Sequence, residues 1–211
     1  MFKSFSSPLF TLAGGMALPT GSSIVEIDSI AGELDPAALA PLLAKGLLGL
    51  VSPAKNSAPA QVTIMALANA PREKIWGTIV DYESYPKFMT RVKKTRILEK
   101  SGNEMLVSYE LDIPGIKVKY SMRHVLMPPG VIEAKNEGEK GALAGGACRW
   151  ELIPHDDGKK TLVCYGLNAS LDQSGGWIIK QFLKAMPDLD VGISLVTGMV
   201  TVRDVIARAG G

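Results

Sequence analysis

The sequence predicts an α+β fold in which a curved antiparallel sheet wraps around one long C-terminal helix. Two observations predict it. Six closely spaced segments between residues 91 and 171 have the composition of strands and are separated by short turn signals, a pattern typical of an antiparallel meander. Residues 175–208 then place apolar side chains at roughly helical spacing, with Pro187 expected to break or kink the helix. A one-sided sheet and an amphipathic helix bury their apolar surfaces by packing on each other.

The first element is a predicted short apolar helix that starts at Pro36, after an aspartate N-cap, and extends to about residue 50. The stretch SPAKNSAPA at 52–60 has the composition of a linker. We therefore divide the chain into an N-terminal extension, residues 1–59, and a main domain, residues 60–211.

The main domain is predicted to begin with a strand at 61–68 and a helix at 70–82, whose apolar stripe includes Ile75 and Ile79. The predicted strands that follow lie near residues 91–100, 104–113, 115–127, 131–138, 146–154 and 160–171.

Two of these strands alternate clearly between apolar and polar residues. On one face lie Met105, Val107, Tyr109, Leu111, Tyr120, Met122 and Leu126. On the other face are mainly charged residues and serines. We expect the apolar face to be buried and the other to be wet.

Composition and motifs exclude several classes of protein. With 23 basic and 21 acidic residues, net charge does not attract nucleic acid, and no nucleic-acid partner is expected. No stretch reaches the ~20 apolar residues that a membrane-spanning helix needs. Enzyme signatures such as HExxH, G-x-S-x-G and the P-loop are absent, and two histidines suggest no metal site, so neither cofactor nor metal is expected.

The predicted compartment is the cytoplasm or the membrane periphery. The N-terminal stretch with Lys3 and PLFTLAGGMALP has some features of a signal peptide, so export to the periplasm stays open. The oligomeric state is not indicated by the sequence.

Three segments carry a resemblance to a known family: APREKIWGTIVDYESYPKFMTRVKKTRIL, VKYSMRHVL and GGACRWELIPHDDGKKTLVCY, followed by the C-terminal helix. Over residues 60–208 the sequence resembles the START-like helix-grip (SRPBCC) superfamily. Within it, the sequence is similar to the polyketide cyclase/dehydrase and lipid-transport family, which includes coenzyme Q-binding proteins. The resemblance implies a sheet that grips the C-terminal helix, with an elongated apolar cavity between them.

Candidate ligand-binding residues are those that alternation places toward the helix and that have an apolar body with a polar tip. They are Tyr109, Tyr120, Met122, His124, Trp150, Tyr165 and Asn168. For His124, a structurally satisfied histidine is the preferred interpretation, and a donor to a ligand carbonyl is the alternative. Asn168 either offers its amide to the interior or lies at a strand end.

The interior could hold an anionic ligand only if Arg123 or Arg149 pointed into it. Arg123 is expected to face solvent, whereas the direction of Arg149 depends on the strand register, which the sequence leaves open. If the last hairpin centres on Asp156, Cys148 pairs with Cys164 across the strands. We expect both to be buried free thiols.

The segment DYESYPKFM at 81–89 crowds apolar side chains at the junction of the first helix and the sheet, next to the basic run Lys87, Arg91, Lys93, Lys94 and Arg96. The segment either fills the junction or forms a gate that contacts anionic membrane surfaces. The candidate gate or membrane-contact residues are Tyr85, Phe88, Met89, Trp177 and Phe182.

The predicted function is to bind a hydrophobic small molecule, a lipid, quinone or isoprenoid, and to carry or present it unchanged. One alternative is a polyketide cyclase or aromatase that folds a poly-β-keto chain in the same cavity, with His124 or Tyr109 as proton donor. Another is a regulator that binds a partner or the ribosome through the basic run. The absence of a convincing acid–base pair favours a carrier.

Overall fold

The computed structural model describes residue 27 and residues 36–53, 60–113, 116–137, 146–168 and 189–210. The helices are α1 (Pro36–Leu43), α2 (Arg72–Val80) and α3 (Leu189–Arg208), and a 3-10 helix spans Tyr82–Lys87. The strands are β1 (Leu48–Ser52), β2 (Gln61–Ala68), β3 (Val92–Ser101), β4 (Glu104–Ile113), β5 (Ile116–Met127), β6 (Val131–Asn136), β7 (Ala147–His155) and β8 (Lys160–Asn168).

The eight strands form one antiparallel sheet in the order β1-β2-β8-β7-β6-β5-β4-β3. The meander from β3 to β8 pairs each strand with the next, as the closely spaced strands and short turns predict. Strand β2 closes the meander against β8, and the curved sheet with a C-terminal helix confirms the predicted α+β helix-grip architecture.

Helix α3 packs on one face of the sheet, which we call the inner face. Val202 and Val205 of α3 are fully buried in one cluster with Val62 and Ile64 of β2. The closest approach is at Gly198, where a β-carbon would lie 2.8 Å from Cγ1 of Ile64. A side chain at this position would therefore push the helix away from the sheet.

Helix α2 and the 3-10 helix cover the other end of the inner face. Ile75 and Ile79 of α2 are buried, as their apolar stripe predicts, and Tyr82 and Tyr85 of the 3-10 helix join the same core. The segment is tied to α3 because the Thr90 amide donates to Oδ2 of the buried Asp204 at 2.6 Å.

The predicted helix over 36–50 is wrong in its second half. The helix ends at Leu43, and after a turn at Gly46 (φ 134°) the chain forms β1, which pairs with β2 at the edge of the sheet. Leu48 and Leu50 were assigned to a helix because a short apolar run does not distinguish helix from strand. Most of the predicted linker at 52–60 lies outside the described residues. Residues 175–188 of the predicted C-terminal helix also lie outside them.

The opposite, outer face of the sheet is buried across β2, β7 and β8. Leu39 and Leu43 of α1 pack there with Met65, Leu162 and Cys164. Ile27 covers Gly166 of β8 so closely that a β-carbon added at Gly166 would lie 2.8 Å from Cγ2 of Ile27. The expected division into a buried face and a wet face therefore holds on β4 and β5 and fails on this half of the sheet.

The register of the last hairpin also differs from the prediction. Strands β7 and β8 pair Glu151 with Cys164 and Cys148 with Leu167, so the two cysteines are not cross-strand neighbours. Cys148 lies in the inner core and Cys164 in the outer cluster. The four-residue turn 156–159 contains three residues with positive φ and shifts the register by three residues from a hairpin centred on Asp156. Both cysteines are buried free thiols, as expected.

Candidate functional site

Over six of the eight strands, β2 and β4 to β8, the inner face of the sheet has an uncharged surface. Its positions on β2 and on β4 to β8 carry aliphatic, aromatic, thiol, amide, hydroxyl and imidazole groups, and none carries Asp, Glu, Lys or Arg. The alternation of the strands explains this. Each charged residue of these strands is adjacent in sequence to an inner residue, so its side chain points to the outer face.

Two tyrosines, Tyr82 of the 3-10 helix and Tyr109 of β4, meet His124 of β5 in one buried cluster. The imidazole is 5% exposed, and Nδ1 lies 3.1 Å from Oη of Tyr82, while Nε2 lies 3.0 Å from Oη of Tyr109. Both ring nitrogens thus have tyrosine partners. The structure supports the preferred interpretation of a satisfied histidine, and a direct bond to a ligand would require one tyrosine contact to break.

Burial keeps His124, its two tyrosine partners and the inner-face residues Cys148 and Tyr120 neutral. It lowers the pKa of His124 to about 3 and raises the pKa of the Cys148 thiol to about 11. Burial also raises the pKa values of Tyr82, Tyr109 and Tyr120 well above the usual value. None of these groups therefore changes its charge near neutral pH.

Aromatic contacts hold the cluster in place. Tyr109 and Tyr120 are cross-strand partners on β4 and β5, and their rings stack with centroids 5.1 Å apart and planes 11° apart. On β7 and β8, Trp150 and Tyr165 are also partners, with centroids 4.1 Å apart. Tyr120, Tyr165 and Met122 are half-buried, so they retain accessible surface on the inner face.

Six of the seven predicted ligand-binding residues lie on the inner face: Tyr109, Tyr120, Met122, His124, Trp150 and Tyr165. Asn168 does not. It lies on the outer side of β8, opposite in alternation to the core residue Leu167, and its Oδ1 accepts a hydrogen bond from the Ala147 amide at 3.0 Å. We therefore correct the prediction for Asn168. Its side chain accepts a hydrogen bond from the neighbouring strand β7 and does not face the interior.

Arg149 also points to the outer face. Its guanidinium forms ion pairs with Glu133 and Glu151, and the bond to Glu151 is 2.6 Å. Arg123 faces outward as expected, among Glu99, Glu104 and Glu137. Neither arginine can anchor an anionic group inside the domain.

The predicted gate divides into buried and half-buried residues. Tyr85 is 6% exposed, and its hydroxyl donates to the Ile79 carbonyl at 2.5 Å. Its ring packs on Phe88. Because Tyr85 is buried in this way, the prediction that it contacts a membrane is wrong. Phe88 and Met89 are half-buried against the core. Trp177 and Phe182 lie outside the described residues.

The basic run lies on the 3-10 helix, the connector and the edge strand β3. Its five side chains are exposed, and Lys93 contacts Glu110 at 3.7 Å. In the part of the chain that the structure describes, no helix is long and apolar enough to cross a membrane, and no three acidic, cysteine or histidine residues are arranged to bind a metal.

Two inner residues were missed by the sequence interpretation. Tyr82 was assigned to the end of α2, and only the tertiary fold brings it to His124, 42 positions away. Asn136 is buried on the inner face of β6, beyond Ile132 and Ala134. The alternation in VIEAKN could have identified Asn136.

An open cleft of about 260 Å³ lies at the rim of the domain, between the end of α1, strand β2 and the last turns of α3. It shares Ala66 with the inner face, and Arg203 is its charged lining residue. The cleft is thus separate from the His124 cluster.

Comparisons with known proteins agree with this architecture. The model of the family described as polyketide cyclase / dehydrase and lipid transport matches residues 68–187. A search of the curated proteins finds no match.

Solved structures of low sequence identity share the fold. The Zhui aromatase/cyclase from Streptomyces sp. R1128 superposes with a TM-score of 0.59 at 16% identity, over 71% of this chain and 93% of its own. A STAR-related lipid transfer protein from Xanthomonas axonopodis gives 0.56 at 15% identity, over 79% and 95%. A protein from Thermus thermophilus gives 0.59 at 14% identity, over 71% and 96%.

The family model covers more than half of the 211 residues, and the fold comparison includes both a lipid transfer protein and an aromatase/cyclase. The chain belongs to the polyketide cyclase/dehydrase and lipid transport family.

Proposed function

We propose that the protein binds a neutral hydrophobic small molecule between the inner face and α3, and carries or presents it without covalent change. The observation that carries the proposal is the uncharged inner face. Apolar contacts supply affinity at about 25 cal/mol per Å² of buried surface, and a tyrosine hydroxyl of this face orients the ligand. A lipid, quinone or isoprenoid with an uncharged polar end fits this surface.

The same surface disfavours the cyclase alternative. A general acid or base works best with a pKa near the operating pH. His124, with a pKa of about 3, and Cys148, with a pKa of about 11, are both far from neutrality, and both nitrogens of His124 already have partners. A cyclase built on this face would therefore have to act without His124 or Cys148 as its general acid or base.

The proposal is tested by a pair of ligands that differ in charge. Decanol and decanoate compete with the fluorescent probe Nile red for the full-length protein at neutral pH. A carboxylate that enters the interior loses its hydration and meets no cation at the described inner-face positions of β2 and β4 to β8, at a cost of several kcal/mol. We expect decanol to displace the probe at a concentration at least tenfold lower than decanoate.

A matched pair of variants controls for the position of the charge. Met122→Lys places a cation on the inner face and should improve decanoate binding selectively, whereas Val125→Lys places it on the outer side of the same strand and should not. Equal binding of decanol and decanoate to the wild type, or tighter binding of decanoate, would contradict the proposal.

A further inference from the structure

The arrangement around His124 contains one more hydrogen than its contacts can use. A neutral imidazole has one N–H donor and one acceptor nitrogen. Each tyrosine hydroxyl contributes one further donor. The three groups thus hold three donor hydrogens, while only two contacts join them, at 3.1 and 3.0 Å.

One hydroxyl must therefore accept from the imidazole, and its own hydrogen is left without an acceptor inside the cluster. Among the residues that the structure describes, neither Tyr82 Oη nor Tyr109 Oη has another hydrogen-bond partner. A buried donor without an acceptor is costly, so this hydrogen is suited to a group that is supplied from outside the cluster.

Burial indicates which tyrosine carries the surplus hydrogen. Tyr82, the first residue of the 3-10 helix, is 1% exposed, and its carbonyl accepts a hydrogen bond from Thr95 Oγ1 of β3 at 2.6 Å. Tyr109 is 7% exposed and stacks on Tyr120, which is half-buried on the inner face. Only Tyr109 is next to a surface that a ligand can reach.

We propose that Tyr109 is a ligand-binding residue whose hydroxyl donates a hydrogen bond to a carbonyl oxygen of the bound molecule. In this arrangement the Tyr82 hydroxyl donates to Nδ1 of His124, and Nε2–H donates to the Tyr109 oxygen. His124 acts as a positioning residue, because it fixes the orientation of the Tyr109 hydroxyl. The proposal rests on the proposed function and narrows its ligand class to ketones, quinones and similar carbonyl compounds.

Two isosteric ligands test the hydrogen bond: 2-acetylnaphthalene, which has a carbonyl, and 2-isopropenylnaphthalene, which has a methylene in its place. Calorimetric titration of the wild type should give about tenfold tighter binding of the ketone, the effect of one buried hydrogen bond to a neutral acceptor. Tyr109→Phe should abolish the preference and leave binding of the hydrocarbon unchanged, whereas Tyr120→Phe, which removes a hydroxyl outside the His124 cluster, should retain it. Thermal melting verifies that each variant is folded.

Nitrogen NMR of the imidazole gives a readout that does not depend on ligand. The chain has two histidines, so His155→Gln assigns the signals of His124. We expect the tautomer with hydrogen on Nε2.

Four results separate the possible failures. Equal binding of the two naphthalenes by the wild type overturns the assignment and leaves the proposed function intact. A preference for the ketone that Tyr109→Phe retains does the same. The tautomer with hydrogen on Nδ1 overturns it as well. If neither naphthalene nor decanol binds, the proposed function fails with it.

Discussion

The buried ion pairs on the outer face make a quantitative prediction about Arg149. Its side chain is 16% exposed, and those of Glu133 and Glu151 are 5% and 8% exposed. Arg149→Met retains most of the aliphatic volume and removes the cation, so the ion pairs of Arg149 with two buried carboxylates are lost.

Removing one partner of a buried ion pair costs about 3–5 kcal/mol. Because Arg149 is partly exposed, we expect the lower end, about 3 kcal/mol of the free energy of unfolding. In a domain of this size that corresponds to a decrease in melting temperature of about 6–12 °C.

Arg123→Met is the matched control. Arg123 also lies among three glutamates, but its side chain is 33% exposed and those of Glu99, Glu104 and Glu137 are 40% to 63% exposed. Exposed pairs contribute little, so this variant should melt close to the wild type.

Guanidinium unfolding followed by circular dichroism measures both variants, and Nile red competition by decanol measures ligand binding while they are folded. Equal stability of the two variants would refute the assignment of Arg149 to a buried outer-face cluster. A selective loss of ligand affinity in Arg149→Met, without loss of stability, would place the guanidinium inside the domain.

Two other predictions concern packing and pH. Gly198→Ala should destabilise the fold by about 1–2 kcal/mol, because the added methyl group overpacks against Ile64. Gly192→Ala is the control: a β-carbon there has nothing within 4 Å, so this variant should stabilise the fold by about 1 kcal/mol. Urea unfolding measures both variants. His124 has a folded pKa of about 3, below the unfolded value, so the unfolded state binds a proton first as pH falls and stability is lost below about 6.5. Between pH 6.5 and 5 the wild type should lose about 1.6 kcal/mol more than His124→Gln. An equal pH response of the two proteins would refute a buried neutral imidazole. His155→Gln should retain the wild-type response.

The periodic part of the sequence predicted most of the fold. The alternation in β4 and β5 assigned Tyr109, Tyr120, Met122 and His124 to one face, and the structure places all four there. This worked because one face of these strands is wet and the other is buried, so that side-chain character reports orientation directly.

The errors arose where burial does not alternate. Strands β7 and β8 are buried on both faces, so their composition left the register open, and only the turn at 156–159 determines it. Arg149 and Asn168 were consequently uncertain or misplaced. The same ambiguity hid β1, because its apolar side chains suit a helix or a strand equally well.

The Tyr82, His124 and Tyr109 cluster could not be predicted from the sequence. It joins the 3-10 helix to two strands, and its members are separated by 15 and 42 positions along the chain. No local period connects such positions, so the hydrogen-bond arrangement appears only when the fold closes.

Direct observation of a bound ligand at the inner face tests the central claim. Met122 lies on the inner face and is half-buried, and Met65 is buried on the outer face. With carbon-labelled methionine methyl groups and saturating decanol, we predict intermolecular nuclear Overhauser effects between the alkyl chain and the Met122 methyl, and none to Met65. Contacts to Met65 alone, or binding without contact to Met122, would contradict a ligand site between the inner face and α3.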